Sequence, residues 1–284
     1  MQPIHIPIRS LMPEPTDAVQ YMPMPREMNT FEMPRLPEPG PDNDVAGACQ
    51  VLETFLAHMS QWLEQGGALP ALDLAGLPAP QLRVLNEALG EGEVSAIMQA
   101  QHEVRVQESV FSGVWREQHL QGTRLLHDYL LAAPIPPLVA ALAQESASTI
   151  LHPLPLPIGA MNVPALVHEL QEAMDRARAM TPAHVINLTL LPLSPEDAAH
   201  IDRVLDGGAV VILSRGFGNC RISSTAARHV WRVQYFNNMQ TLILNTIEVT
   251  AMPEVAMAAR EDLVETRDRL VDLVQWMGDS LATA

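Results

Sequence analysis

Apolar residues recur every three to four positions through Val51, Leu52, Phe55, Leu56, Met59 and Leu63, which predicts an amphipathic helix. Asp44 stands where such a helix needs its N-terminal cap, and Gly66-Gly67 where it must stop. Pro164 opens a second helical pattern that runs to about Ala179 and closes at Thr181-Pro182. Residues 184–190 alternate as a strand does, and Ser194 caps a short helix over Pro195–Leu205. Residues 209–214, 219–224, 229–236 and 241–249 read as four strands, and residues 253–281 as one long amphipathic helix with Glu254, Glu261 and Asp262 near its start.

The pattern repeats at an offset of 116 residues, so that residues 79–146 align without gaps on 195–262. Leu89-Gly-Glu-Gly-Glu-Val94 lies over Leu205-Asp-Gly-Gly-Ala-Val210, and Val114-Trp-Arg-Glu-Gln118 over Val230-Trp-Arg-Val-Gln234. Two of only four tryptophans share that second frame, which argues against coincidence. Each copy reads helix, Gly-rich turn, strands, then a Pro-initiated helix. The expected architecture is α+β: two tandem related lobes, each an antiparallel sheet with covering helices. The boundaries expected are an extended Pro/Met-rich arm over 1–45, a first lobe over 46–146, a Pro-rich linker over 147–160 and a second lobe over 161–284. Ten of the 24 prolines fall in residues 1–41, where missing amide donors forbid a helix or a central strand.

Composition narrows the chemistry. All 17 basic residues are arginine, and 33 acids give a net charge of −16. With no lysine, a phosphate-binding P-loop, a Schiff base and a Ser–Lys dyad are excluded. Two cysteines, Cys49 and Cys220, cannot hold a four-cysteine zinc site or cluster, and the acidic balance opposes general nucleic-acid binding. The ten histidines follow no H-x-x-x-H spacing, so no metal site is expected. Neither a signal peptide nor an 18-residue apolar run is found, which makes a cytoplasmic location the expectation.

Residues common to both copies, such as Trp115 and Trp231, Arg116 and Arg232, or Gly92 and Gly208, read as scaffold. Function is expected where the copies differ. Residues 91–131 carry six acids and three arginines, whereas 207–247 carry four arginines and no acid. Candidate partner-binding residues are therefore Arg215, Gly216, Gly218, Cys220, Arg221 and Arg228. Those arginines either pair with acids elsewhere in the chain or recognise an acidic segment of a partner. Cys220 is either a packed thiol or, beside Arg221, a thiolate of lowered pKa. Gly216-x-Gly218 lacks the third glycine of a dinucleotide fingerprint.

The second-copy run Ile212-Leu-Ser-Arg-Gly-Phe-Gly-Asn-Cys-Arg-Ile-Ser-Ser-Thr225, the following stretch from His229 to Leu263, and Leu193-Ser-Pro-Glu-Asp197 resemble the HupH/HyaF/HoxQ-type nickel–iron hydrogenase expression/formation proteins. Residues 85–98 and 108–115 and the Met/Pro-rich start extend the resemblance over essentially the whole chain. It implies a protein that is not an enzyme and needs no cofactor. The implied role is an accessory chaperone in maturation of the iron–sulfur small subunit of a membrane-bound uptake hydrogenase, before export. The implied partners are the small-subunit precursor and a thioredoxin-like hydrogenase accessory protein, with no nucleic acid and no stable membrane insertion. Two alternatives stay open: a scaffold acting through the thioredoxin-like protein, or a thiol or sulfur-transfer protein using Cys220.

Overall fold

The computed structural model describes residues 43–145, 147–152, 154–177, 182–216 and 218–283. The expected arm lies almost wholly outside these residues, as does Phe217. The first half runs α1 (Val45–Gln65), β1 (Ala71–Asp73), α2 (Ala79–Leu89), β2 (Val94–Gln99), β3 (Glu103–Glu108), β4 (Val114–Gln121), β5 (Arg124–Ala132) and α3 (Pro137–Glu145). The second runs α4 (Val163–Arg176), β6 (His184–Asn187), α5 (Pro195–Leu205), β7 (Val210–Ser214), β8 (Asn219–Ser224), β9 (Val230–Phe236), β10 (Leu242–Val249), a 3₁₀ turn (Glu254–Ala256) and α6 (Arg260–Thr283).

Local chemistry sets the element ends. The Asp44 carboxylate accepts from the Gly47 amide at 2.8 Å to start α1, and its other oxygen takes the Gln81 side chain at 2.8 Å, which ties α2 alongside. Gly66, at φ 71°, ends α1. β6 stops at Asn187 because that side chain accepts from the Thr189 amide and turns the chain. The helix expected over 253–281 is broken. Ala258 donates its amide to the Pro134 carbonyl, and the Asp262 carboxylate accepts from the Ala259 amide as α6 begins.

The strands form one antiparallel sheet in the order β1-β5-β4-β3-β2-β7-β8-β9-β10-β6. The expectation of one sheet per lobe is therefore corrected: five strands from each half join edge to edge through β2 and β7. Ala96 pairs with Ile212, its own counterpart at the 116-residue offset, while Val94 pairs with Ser214 and Met98 with Val210. This register is that of a pseudo-two-fold axis through the Ala96–Ile212 pair. Joining the lobes here leaves neither β2 nor β7 as an unpaired edge.

Alternation along the strands sends side chains to two faces. On one face a core runs across the seam, with Ala96, Met98, Val106 and Trp115 from the first half and Ile212, Ile222, Trp231 and Val233 from the second. Residues of α3, with Met252 and Ala256, pack against it. The opposite face carries two separate cores. In the first half α1, α2 and α6 enclose Phe55, Leu85, Leu130 and Leu270. In the second half α4 and α5 enclose Leu170, Ile201, Val230 and Ile247. Gly92 and Gly208 are each pressed against the backbone of the neighbouring strand, where a Cβ would stand 2.2 Å from the Ser109 carbonyl oxygen or 2.8 Å from that of Thr225.

Candidate functional site

The six residues singled out above do not share one surface. Arg215 and Gly216 follow β7 at one end of the seam, where the Arg215 amide donates to the Glu93 carbonyl at 3.1 Å and its Nη2 to the Gly92 carbonyl at 3.4 Å. A Cβ at Gly216 would meet Glu93 Oε2 at 2.3 Å, and Gly218, at φ 97°, starts the return into β8. Cys220 and Arg221 are neighbours in sequence but, being consecutive on β8, point to opposite faces. Cys220 is 0% exposed in the core across the seam, and burial pushes its thiol up to about 12 despite a hydrogen bond with Tyr235. Arg221 therefore does not face the sulfur. Arg228 is exposed in the turn between β8 and β9, with its amide on the Ser148 carbonyl at 2.8 Å.

Beside the Arg215 turn lies Glu108, a buried carboxyl. Burial pushes it up to about 7, against the Gly113 amide and the Ser112 hydroxyl and with help from the Glu93 charge. A carboxyl whose folded-state pKa is raised destabilises the fold as it ionises. Stability is thus expected to fall by about 2–3 kcal/mol as pH rises from about 4.5 to about 7. Glu108→Gln keeps an acceptor for Gly113 and should flatten that slope in denaturant titrations across the same range.

A different feature of the second half presents apolar groups to solvent. Ile158 is 100% exposed and Met161 78% ahead of α4, and Leu190 is 79% exposed after β6, next in sequence to Leu191. The segment leading into α4 is braced by the buried Asp197, the third residue of α5. It closes a capping box with Ser194 and also accepts from the Met161, Asn162 and Val163 amides at 2.9, 3.0 and 3.3 Å. One carboxylate thus caps both α4 and α5. Burial raises its pKa, but these donors outweigh burial and hold it near 2. Asn162 adds a bond from its side chain to the Pro192 carbonyl at 2.9 Å. In the first half the matching turn is anchored by the Leu74 amide on the Asp128 carbonyl, as Leu188 is on Asn245. It presents Ala75-Gly76 where the second half has Thr189-Leu190. Among the described residues such exposed apolar turns belong to the second half alone; the strand expected over 184–190 ran through Leu190, and Ile158 and Met161 lie between elements.

The sequence reading also missed a polar cluster on the α3 face of the first half. His102 and His119 are 2.8 Å apart between ring nitrogens, and His119 Nε2 lies 2.8 Å from Glu117. His127 stacks on Tyr129 and meets the His119 ring edge-on. Pairing across the β4–β5 hairpin sets His119 opposite His127, a signal that the turn at Gly122 makes readable. Among the described residues no group of three or more His, Cys, Asp or Glu side chains is placed to hold a metal ion.

On the helix-bearing face, four arginines stand in two repeat-related pairs. Arg116 sets Nε and Nη2 on the buried Asp128 and Nη1 on Asn86 of α2 at 2.6 Å. Arg232 sets Nε on Asn245 at 2.5 Å and Nη1 on Asp202 of α5 at 2.9 Å. Carboxylate and amide have exchanged places between the halves. Arg105 sets Nε on Glu103 at 2.6 Å. Its counterpart Arg221 buries Nε without a partner among the described residues, and burial pushes its pKa down.

Comparison with known proteins places these features in a family. The family model described as "HupH hydrogenase expression protein, C-terminal conserved region" matches twice, over residues 45–152 and 160–277. The chain is 38% identical to hydrogenase expression/formation protein HoxQ of Cupriavidus necator, over 92% of this chain and 93% of that one. It is 42% identical to HupQ of Azotobacter chroococcum, over 90% and 91%. With hydrogenase-1 operon protein HyaF of Escherichia coli K12 the identity is 37%, over 76% of each. The two matches of one family model fall on the two halves whose strands pair at the seam, and the chain belongs to the HupH family of hydrogenase expression/formation proteins.

Proposed function

We propose that this protein is a non-enzymatic accessory chaperone. In this reading it binds the precursor of the iron–sulfur small subunit of a membrane-bound uptake hydrogenase in the cytoplasm and protects or presents it before export. A thioredoxin-like accessory protein is the second partner. The observation that carries the reading is similarity to hydrogenase expression/formation proteins over nearly their whole length. The exposed apolar side chains of Ile158, Met161 and Leu190 support it, since large apolar groups left in water favour a protein contact. The buried Cys220, with its raised pKa, supports a binding role over sulfur transfer. Among the described residues no helix is long and apolar enough to cross a membrane.

The test is direct binding of the purified full chain to the purified small-subunit precursor, measured by calorimetry. The triple variant Ile158→Ser/Met161→Ser/Leu190→Ser should fold as the parent does and bind about tenfold more weakly or worse. Absence of any binding by the parent chain, with binding to the thioredoxin-like protein retained, would turn the reading to a scaffold.

A further inference from the structure

The four arginines of the helix-bearing face differ in one respect. Arg105, Arg116 and Arg232 each place Nε against a side-chain oxygen, and two of those oxygens belong to carboxylates. Only the Arg221 Nε is buried with no acceptor among the described residues. The repeat shows what is missing. Glu103, which neutralises Arg105 from two residues earlier on β3, corresponds to Asn219 on β8. An amide there supplies no charge, and no acid lies anywhere in residues 207–247. A guanidinium drawn out of water without an anion is costly, and in a chain of net charge −16 its isolation is a local property of this strand.

The strip of sheet around Arg221 is only partly covered. Ile97, Arg105, Val211 and Ser223, on the same face of the four central strands, are only partly buried, as is Gln234 beside Arg221 on β9. They lie between the core built by α1, α2 and α6 and the core built by α4 and α5. Arg116 shows on this same face how such a guanidinium takes a carboxylate, edge-on through Nε and Nη2.

We propose that Arg221 is the receiving site for a carboxylate carried by the partner protein, seated edge-on in the strip of sheet at the seam. The docking segment is acidic, and it completes the ion pair that Glu103 makes within the first half. This deepens the chaperone reading and rests on it.

Asn219→Glu tests the proposal by restoring the first-half arrangement. Calorimetric titration of the full chain with the purified small-subunit precursor should show Asn219→Glu and Arg221→Gln each binding about tenfold more weakly or worse. Asn219→Glu should unfold at or above the parent temperature, which separates lost binding from lost fold. Arg124→Gln, exposed at the tip of the β4–β5 hairpin and away from this strip, should bind like the parent. Parental binding by both Asn219→Glu and Arg221→Gln would overturn the inference and leave the chaperone reading standing. No precursor binding by the parent chain would overturn both. A third outcome would move the site to a free small acid and overturn the partner assignment: citrate raises the melting temperature of the parent but not of Arg221→Gln, and does not compete with the precursor.

Discussion

Arg116→Met is expected to cost roughly 3–5 kcal/mol in unfolding free energy, while Arg232→Met costs under about 1 kcal/mol. The two arginines occupy the same frame of the repeat, so the difference comes from what each leaves behind. Asp128 is 1% exposed and takes both Nε and Nη2 of Arg116. Methionine keeps the aliphatic stem but strands that carboxylate in the core. Arg232 leaves a neutral amide, Asn245, and Asp202, whose side chain is 45% exposed and turns to water. Urea titrations of the two single variants measure the contrast directly. Arg116→Met/Asp128→Asn should recover much of the loss, because the pair is coupled. Equal losses at both positions would mean that lost packing, rather than an abandoned charge, dominates.

Trp231→Ala is expected to destabilise by roughly 3–5 kcal/mol. The ring is 0% exposed in the core that runs across the seam, and its Nε1 donates to the Thr250 carbonyl at 3.2 Å. Trp115 does the same in the first half, donating to the Ala133 carbonyl at 2.8 Å. Truncation would open a cavity and orphan a carbonyl together. Because Ala96 and Met98 share that core with Ile212 and Ile222, the loss should also speed amide exchange in β2 and β7. A near-neutral midpoint in denaturant would remove Trp231 from the scaffold.

Much of this was legible because local rules govern it. The 116-residue offset, the capping of α5 by Ser194 and the ranges of β8 and α5 follow from period, cap chemistry and repetition. The seam was not legible: pairing between Ala96 and Ile212 leaves no trace in either strand alone, since both read as ordinary apolar strands. The break after Pro253 escaped for a similar reason, as it depends on a carbonyl at Pro134 far away in the chain. At the candidate site the sequence reading set Arg221 beside Cys220, where alternation along β8 separates them, and it passed over Asn219 in the place of Glu103. What the sequence lacked was burial, which turns an unremarked amide into a missing charge.

The register at the seam has a bearing on how such a molecule arises. A chain holding one repeat would end in a bare β2 edge, and an edge that pairs about its own midpoint is self-complementary, the condition for a two-fold dimer. Two such subunits joined tail to head would give the sheet seen here, with Ala96 and Ile212 where one residue would meet its own copy. Fusion frees each subunit from sharing every substitution with its twin. One half can keep Glu103 on Arg105 while the other gives it up, a divergence that a true homodimer, bound to change both sites at once, is denied.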